Sequence, residues 1–114
     1  MKSVMTIVIF LFLTGCQQNQ NTYYWGDYTE TLYTHYQDMS SDSLDDHKET
    51  LLEIIEVSND EGSKVPPATY FELGYIEMSH GNISKGKGYL YKERELYPES
   101  VEVVNILLTE LDYQ

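Results

Sequence analysis

The stretch Pro67–Pro98, PATYFELGYIEMSHGNISKGKGYLYKERELYP, decides the fold of this chain. It divides at Gly81-Asn82, a pair typical of turns, into two segments whose apolar residues have helical spacing. Gly74 in the first segment and Gly86 in the second carry no side chain, which lets two antiparallel helices approach closely. The stretch therefore predicts a tight helical hairpin. Its members are helix three, from about Pro67 to Ser79, and helix four, from about Ile83 to Leu96.

The same stretch has the spacing of a tetratricopeptide repeat, a unit of two antiparallel helices. Such a repeat places a Leu-Gly pair, a turn glycine, a small residue, a bulky residue and a closing proline at fixed intervals. Those positions are occupied here by Leu73-Gly74, Gly81-Asn82, Gly86, Leu90, Leu96 and Pro98. Glu77 and Glu93 stand where the repeat has an aromatic residue and an alanine, so a generic helical hairpin remains an alternative. Because isolated repeats are unstable, we expect the other helices to act as degenerate neighbours.

Helical periodicity continues on both sides of the hairpin, and no stretch shows the period of a strand. Helix two is predicted to begin with Ser43 as its N-cap and to end near Gly62 in the left-handed conformation. Helix five is predicted from Glu99 to about Leu111. Helix one is predicted from about Tyr28 to Met39, with an apolar face formed by Tyr28, Leu32, Tyr36 and Met39. The fold class is therefore all-α, with about five helices stacked as tetratricopeptide-like hairpins over residues 23–114.

The N-terminus has the pattern of a lipoprotein signal peptide. Lys2 precedes an apolar run, 4–13, that is too short to span a membrane, and Leu13-Thr14-Gly15-Cys16 has the form of a lipobox. A transmembrane helix or an ordinary signal peptide fits less well, because no long apolar stretch follows and an Ala-x-Ala site is absent. Cys16 is the single cysteine of the sequence, so it has no intrachain disulfide partner. We expect removal of residues 1–15, lipidation of Cys16 and attachment to a membrane through two or more acyl chains.

Residues 16–22 are predicted to form the lipidated cysteine and a polar tether. The six residues after the cysteine, QQNQNT, offer no apolar side chain to bury, and fully extended they reach about 20 Å. Gln17 rather than Asp follows the cysteine, which favours sorting to the outer membrane in a Gram-negative host. The predicted location is therefore the periplasmic side of the outer membrane.

The overall charge limits the classes of partner. The chain has 114 residues and a formal net charge of −12. Such a surface repels nucleic acid and anionic headgroups and attracts basic partners, although solubility alone also explains the acidity. The length suffices for one small domain.

Residues with catalytic or metal-binding chemistry form no recognisable motif. His35, His47 and His80 lie on different predicted elements without the spacing of a zinc site, and we expect them at the surface or in loops. The sequence contains no Ser or Cys nucleophile motif, and no glycine-rich phosphate loop follows a strand. The sequence therefore predicts no enzyme, no cofactor and no metal site.

Acidic residues between helices one and two have the intervals of an EF-hand calcium loop. The ligand positions of such a loop would be Asp38, Ser40, Asp42, Leu44, Asp46 and Glu49. Ser43 stands where the loop requires glycine, and Asp45 where it has an apolar residue. A solvated acidic linker is the alternative, and the sequence leaves calcium binding open.

The sequence contains eleven tyrosines, which point to a surface for a partner. Tyrosine is enriched at protein interfaces because it offers a large contact area with few rotatable bonds. One cluster follows the tether and another lies on helix four. The candidate partner-binding residues are Tyr24, Trp25, Tyr28, Tyr89 and Tyr91. Filling of the core and the hairpins is an equal alternative, and stacking on cell-wall sugars is a third.

With these residues set out, the chain resembles the small bacterial lipoproteins of the domain of unknown function 4810. The resemblance covers nearly all residues after the predicted cleavage site. Besides the lipobox, it rests on Tyr23-Tyr24-Trp25-Gly26-Asp27-Tyr28 with Leu32-Tyr33, Val65-Pro66-Pro67 before Leu73-Gly74-Tyr75, Gly81-Asn82, and residues 93–100. It implies a tetratricopeptide-like fold, no known catalytic residues, and partners encoded nearby, namely a CsgG-like lipoprotein and a further small lipoprotein.

Together these patterns predict a lipid-anchored, non-enzymatic envelope adaptor, and the resemblance implies that it is part of an outer-membrane assembly or secretion complex with a CsgG-like lipoprotein. A cell-wall glycan-binding or glycan-acting lipoprotein is the alternative. The oligomeric state is left open.

Overall fold

A computed structural model describes residues 23–112, and this part of the chain contains five α-helices and one short 3-10 helix. The α-helices are α1 (Tyr28–Asp38), α2 (Ser41–Asp60), α3 (Thr69–Ser79), α4 (Ile83–Leu96) and α5 (Val101–Asp112), and the 3-10 helix is Pro98–Ser100. Helix α1 packs on α2, α3 packs on α4, and the two hairpins meet between α2 and α3. The prediction of an all-α fold of stacked helical hairpins is confirmed.

The start of α2 differs from the prediction. Ser40, not Ser43, is the N-cap, because the Ser40 Oγ accepts a hydrogen bond from the Ser43 N–H at 3.1 Å. The chain turns sharply at Met39, whose backbone is left-handed with φ of 52°. The helix can therefore begin three residues earlier than expected. The predicted left-handed conformation of Gly62 is confirmed, with φ of 66°.

Helix α3, in contrast, begins later than predicted. Pro67 lies before the helix, because the next residue, Ala68, has a left-handed backbone with φ of 70° that helical residues do not adopt. Helix α4 has the predicted bounds. The last helix was predicted from Glu99, but that residue lies in the 3-10 helix that leads into α5.

The hairpin of α3 and α4 closes on two glycines. A Cβ atom on Gly86 would lie 2.8 Å from the backbone oxygen of Gly74, and one on Gly74 would lie 3.0 Å from the backbone oxygen of Gly86. The two helices therefore touch backbone to backbone, as the sequence predicts. Leu73 and Leu90 are fully buried beside this contact.

The core lies where the two hairpins meet. Leu51 of α2 packs with Leu73 and Ile76 of α3, and four partly buried side chains surround them: Tyr28, Leu44, Ile55 and Tyr89. The predicted apolar face of α1 is wrong in part, because Tyr36 and Met39 are largely exposed. No further helix covers that end of α1 within the described residues.

Two buried glutamates replace the aromatic residue and the alanine of the repeat pattern. Glu77 is fully buried, and its carboxylate oxygens lie 2.6 Å from Lys48 Nζ and 3.4 Å from Lys85 Nζ and accept a hydrogen bond from Asn82 Nδ2 at 2.8 Å. The hydrogen bond from Lys48 lowers the pKa of Glu77 to about 2, although burial acts in the opposite direction. Glu77 thus joins α2, α3 and the start of α4 through charge.

Glu93 ties α4 to the beginning of α3. Its carboxylate accepts a hydrogen bond from the Ala68 N–H at 2.8 Å, where the first amides of a helix need an acceptor. Burial raises the pKa of Glu93 despite this bond. Nearby, the Tyr97 hydroxyl donates to the Val65 carbonyl oxygen at 2.6 Å.

Among the described residues, no helix is both long and apolar enough to cross a membrane. The predicted signal peptide, the lipobox with Cys16 and the tether lie outside the described residues.

Candidate functional site

A groove on the face formed by α1, α2 and α3 is the candidate site. It has a volume of about 380 Å³. It is lined by Leu32, His35, Tyr36, Met39, Leu44, His47, Phe71, Glu72, Tyr75 and Ile76. No other helix of the described residues lines this groove, so apolar side chains of α1 and α3 form its walls.

Three large side chains stand exposed around the groove. Tyr36 is 71% exposed, Met39 is 70% exposed and Tyr75 is 59% exposed. Single exposed apolar residues are ordinary, but a group of them around one concavity is typical of an interaction site. We call this group the groove rim.

The floor of the groove contains a buried histidine. His47 was predicted at the surface or in a loop, but it is only 3% exposed. Its Nδ1 lies 2.8 Å from the Thr31 hydroxyl oxygen, and that hydroxyl lies 3.2 Å from the Asp27 carbonyl oxygen one helical turn earlier. The Thr31 hydroxyl and His47 Nδ1 share one hydrogen bond, whose direction depends on the tautomer of the imidazole. The Nε2 of His47 has no hydrogen-bond partner among the described residues.

A carboxylate faces this nitrogen. Glu72 Oε1 lies 3.6 Å from His47 Nε2, too far for a hydrogen bond, and the buried Glu72 Oε2 has no hydrogen-bond partner. Burial raises the pKa of Tyr28, and a hydrogen bond to Glu72 raises it further. The Tyr28 hydroxyl therefore stays protonated beside Glu72.

Three of the predicted partner-binding residues lie near the tether, and Trp25 is the most exposed of them, at 40%. Its ring contacts the rings of Tyr23 and Tyr28 edge to face. The Tyr24 hydroxyl donates to Glu53 Oε1 at 2.8 Å, which fixes this segment on α2. Tyr28 packs against the core and the ring of His47, 5.2 Å between centroids.

The two predicted tyrosines of α4 point in different directions. Tyr89 packs against the core and stacks on Tyr70, with ring centroids 6.1 Å apart. Tyr91 is about half exposed, with the guanidinium of Arg94 lying 5.1 Å from its ring centroid. Neither residue lines the groove.

The groove rim was missed as a site in the sequence. Tyr36 and Met39 were predicted on the apolar face of helix one, and Tyr75 was named only among the residues of the family resemblance. The clustering of Tyr33, Tyr36 and Tyr75 on α1 and α3 was the available signal, since these helices occupy equivalent places in the two hairpins. Only the structure places His35 and His47 in the same groove.

The calcium-loop hypothesis is wrong. Residues from Ser41 onward are helical, so most of the proposed loop is the first part of α2. The carboxylates of Asp42, Asp46 and Glu49 are exposed on that helix. Residues 23–112 contain no group of three or more His, Cys, Asp or Glu placed to hold a metal ion.

Comparison with known families assigns the chain. The model of a family described as a domain of unknown function (DUF4810) matches residues 22–107. The chain belongs to the DUF4810 family. This confirms the resemblance seen in the sequence, while the lipoprotein context and the CsgG-like partner stay predictions. No curated protein and no solved structure matches this DUF4810 chain.

Proposed function

We propose that this DUF4810 protein is a non-enzymatic adaptor of the bacterial envelope. Lipid on Cys16 holds it to the periplasmic side of the outer membrane. It binds a segment of another envelope lipoprotein, for which a CsgG-like protein is the first candidate, within an assembly or secretion complex. The lipobox Leu13-Thr14-Gly15-Cys16 supports the anchor.

The groove rim is the observation that carries the binding role. Tyr36, Met39 and Tyr75 leave large apolar surfaces in water around one concavity. Tyrosine and methionine are enriched in interface cores, and covering apolar area stabilises a complex by roughly 25 cal/mol per Å² before the cost of association. A volume of about 380 Å³ accommodates one or two side chains rather than a folded domain.

The segment that follows the tether offers a second contact. Trp25 is partly exposed, and an aromatic ring with a polar tip suits the wetter rim of an interface. The exposed rings of Trp25 and Tyr91 also suit stacking on sugars, which is the basis of the alternative function in cell-wall glycan binding. The experiment below separates the two.

The test is in-cell chemical crosslinking of the tagged, full-length protein, followed by purification in mild detergent and mass spectrometry. Three chains are compared: the natural one, a Tyr36→Ser, Tyr75→Ser double variant, and Tyr91→Ser as a matched control outside the groove. The adaptor function predicts stoichiometric recovery of another envelope lipoprotein with the natural chain and the control, and loss with the double variant. Recovery of the protein alone, or of cell-wall fragments only, contradicts it.

A further inference from the structure

The segment that leads into α1 is held on the domain by two tyrosines. The Tyr24 hydroxyl donates to Glu53 Oε1 of α2 at 2.8 Å. Burial raises the pKa of Tyr97, which ends α4, and a hydrogen bond with the Tyr23 side chain raises it further. Tyr23 therefore lies against the end of α4. The chain enters the domain at one defined corner, between α2 and the end of α4.

Three aromatic rings run along this corner. The ring centroids of Tyr23 and Trp25 lie 6.4 Å apart, and those of Trp25 and Tyr28 lie 5.2 Å apart. Tyr28 packs against the core, whereas Trp25 leaves part of its ring in water. Tryptophan and tyrosine are enriched at membrane–water interfaces, because they join an apolar ring to a polar N–H or O–H group. The corner therefore presents side chains that suit a layer of lipid headgroups.

Two exposed lysines lie beside the same corner. Lys64 Nζ lies 4.2 Å from the ring centroid of Tyr97, and Lys92 lines the same concavity of about 270 Å³ as Lys64. Neither lysine forms an ion pair within residues 23–112. Glu95 also lines the concavity, so this surface carries both signs of charge. A zwitterionic headgroup, which joins a phosphate to an ammonium, offers a partner to each sign. We call Tyr23, Trp25, Lys64 and Lys92 the entry corner.

The length of the predicted tether limits how far the entry corner lies from the lipid. Six residues separate Cys16 from Tyr23. Fully extended they reach about 20 Å, and as a flexible chain they span about 13 Å on average. Such a short connection gives an effective concentration in the millimolar range, so a contact of only millimolar affinity is occupied in about half of the molecules. Among the described residues, the entry corner is therefore the part that the anchor holds closest to the bilayer.

We infer that the entry corner rests in the phospholipid headgroup layer, with the indole of Trp25 at the lipid–water interface and the ammonium groups of Lys64 and Lys92 at headgroup phosphates. This inference rests on the proposed lipid anchor and identifies the surface that the second contact at Trp25 meets. Tyr36 follows Tyr28 by eight residues, so the groove rim lies about 12 Å along α1 from this contact. Lipid and a partner segment therefore bind at opposite ends of α1.

The test uses the mature, lipidated protein in vesicles of phosphatidylethanolamine and phosphatidylcholine. Trp25 is the single tryptophan of the sequence, so intrinsic fluorescence reports this residue alone. In a second set of vesicles the phosphatidylcholine carries bromine atoms on its acyl chains, which quench a tryptophan ring only at short range. Flotation in a density gradient measures attachment to the vesicles separately.

The inference predicts that the emission of Trp25 in brominated vesicles is about half of that in plain vesicles. Lys64→Glu places a negative charge beside headgroup phosphates and should reduce the quenching about two-fold or more. Lys87→Glu makes the same change of charge about 15 Å along α4 from Tyr97, where Lys87 pairs with Asp112, and should leave the quenching unchanged. Circular dichroism checks that both variants keep the helical fold.

Three results overturn the inference. Equal emission in the two kinds of vesicle, from protein that floats with them, shows that Trp25 does not meet the lipid and is open to a protein or a glycan, while the anchor stands. Equal quenching of Lys64→Glu and the natural protein contradicts the phosphate contact. Protein that does not float with the vesicles refutes the proposed anchor itself, and the inference falls with it.

Discussion

The contact between Gly74 and Gly86 makes a quantitative prediction about the hairpin. A Cβ atom added at Gly86 lies 2.3 Å from Met78 Cγ and 2.8 Å from the Gly74 carbonyl oxygen. The Met78 side chain can rotate away, but the carbonyl belongs to the backbone of α3. Gly86→Ala therefore forces the two helices apart by about half an ångström, and the fully buried Leu73 and Leu90 lose contacts.

Two opposing effects set the size of the change. Alanine is favoured over glycine in a helix interior by about 1 kcal/mol, whereas overpacking typically costs about 1–3 kcal/mol. The matched control is Gly88→Ala in the same helix, where a Cβ atom has no neighbour within 4 Å. The control gains the helical preference alone. We expect Gly88→Ala to raise the free energy of unfolding by about 0.5–1 kcal/mol, and Gly86→Ala to lie about 1–3 kcal/mol below it.

The assay is equilibrium urea unfolding followed by circular dichroism, on protein expressed without residues 1–16. Because the two variants share the same helix and the same chemical change, their difference isolates packing between α3 and α4. Equal stability of Gly86→Ala and Gly88→Ala would refute the close approach of the two backbones.

The remaining predictions concern buried polar contacts and the anchor. Glu77→Gln unpairs Lys48 and should lower the free energy of unfolding by on the order of 3 kcal/mol at pH 7, because the folded-state pKa of Glu77 lies near 2 instead of 4.5. A lowered pKa stabilises the fold above pH 4.5, so the difference from the natural protein should shrink as the pH falls toward 2 in urea titrations, and a constant difference would contradict the ion pair. Glu93, whose pKa is raised, contributes to the pH dependence of stability with the opposite sign, but it is present in both proteins and cancels in their difference. Tyr97→Phe should cost about 1–2 kcal/mol through the lost bond to Val65, whereas the exposed Tyr91→Phe should cost under 0.5 kcal/mol by the same measurement, and equal losses would disprove the role of that bond. Cys16→Ala should accumulate as an uncleaved precursor in fractionation and immunoblotting, and normal processing of this variant would rule out the lipobox.

Local sequence signals predicted the hairpin well. Helix α4 has the predicted bounds because Gly81-Asn82 and Pro98 mark both of its ends. The start of α2 was misplaced because Ser40 and Ser43 are equally good caps, and the choice depends on the left-handed turn at Met39. Methionine rarely adopts that conformation, so nothing local indicated it.

The groove could not be predicted from periodicity. The periodicity of α1 shows which face is apolar, but it does not show whether another helix covers that face. In the structure, Tyr36 and Met39 on this face remain exposed. The burial of His47 depends on packing of α2 against both α1 and α3. The burial of Glu77, at a position where the repeat has an aromatic residue, could not be predicted for the same reason. It depends on tertiary packing, because its partner Lys48 lies in the other hairpin.

The most direct test of the adaptor function is site-specific photo-crosslinking in living cells. A photoreactive phenylalanine derivative is placed at Tyr36 in the groove or at Tyr91 on the outer face of α4, in the full-length chain with its natural lipobox. The account predicts a strong adduct with another envelope lipoprotein from position 36 and little of it from position 91. An adduct with that lipoprotein from position 91 and none from position 36 would contradict the assignment of the groove as the binding site.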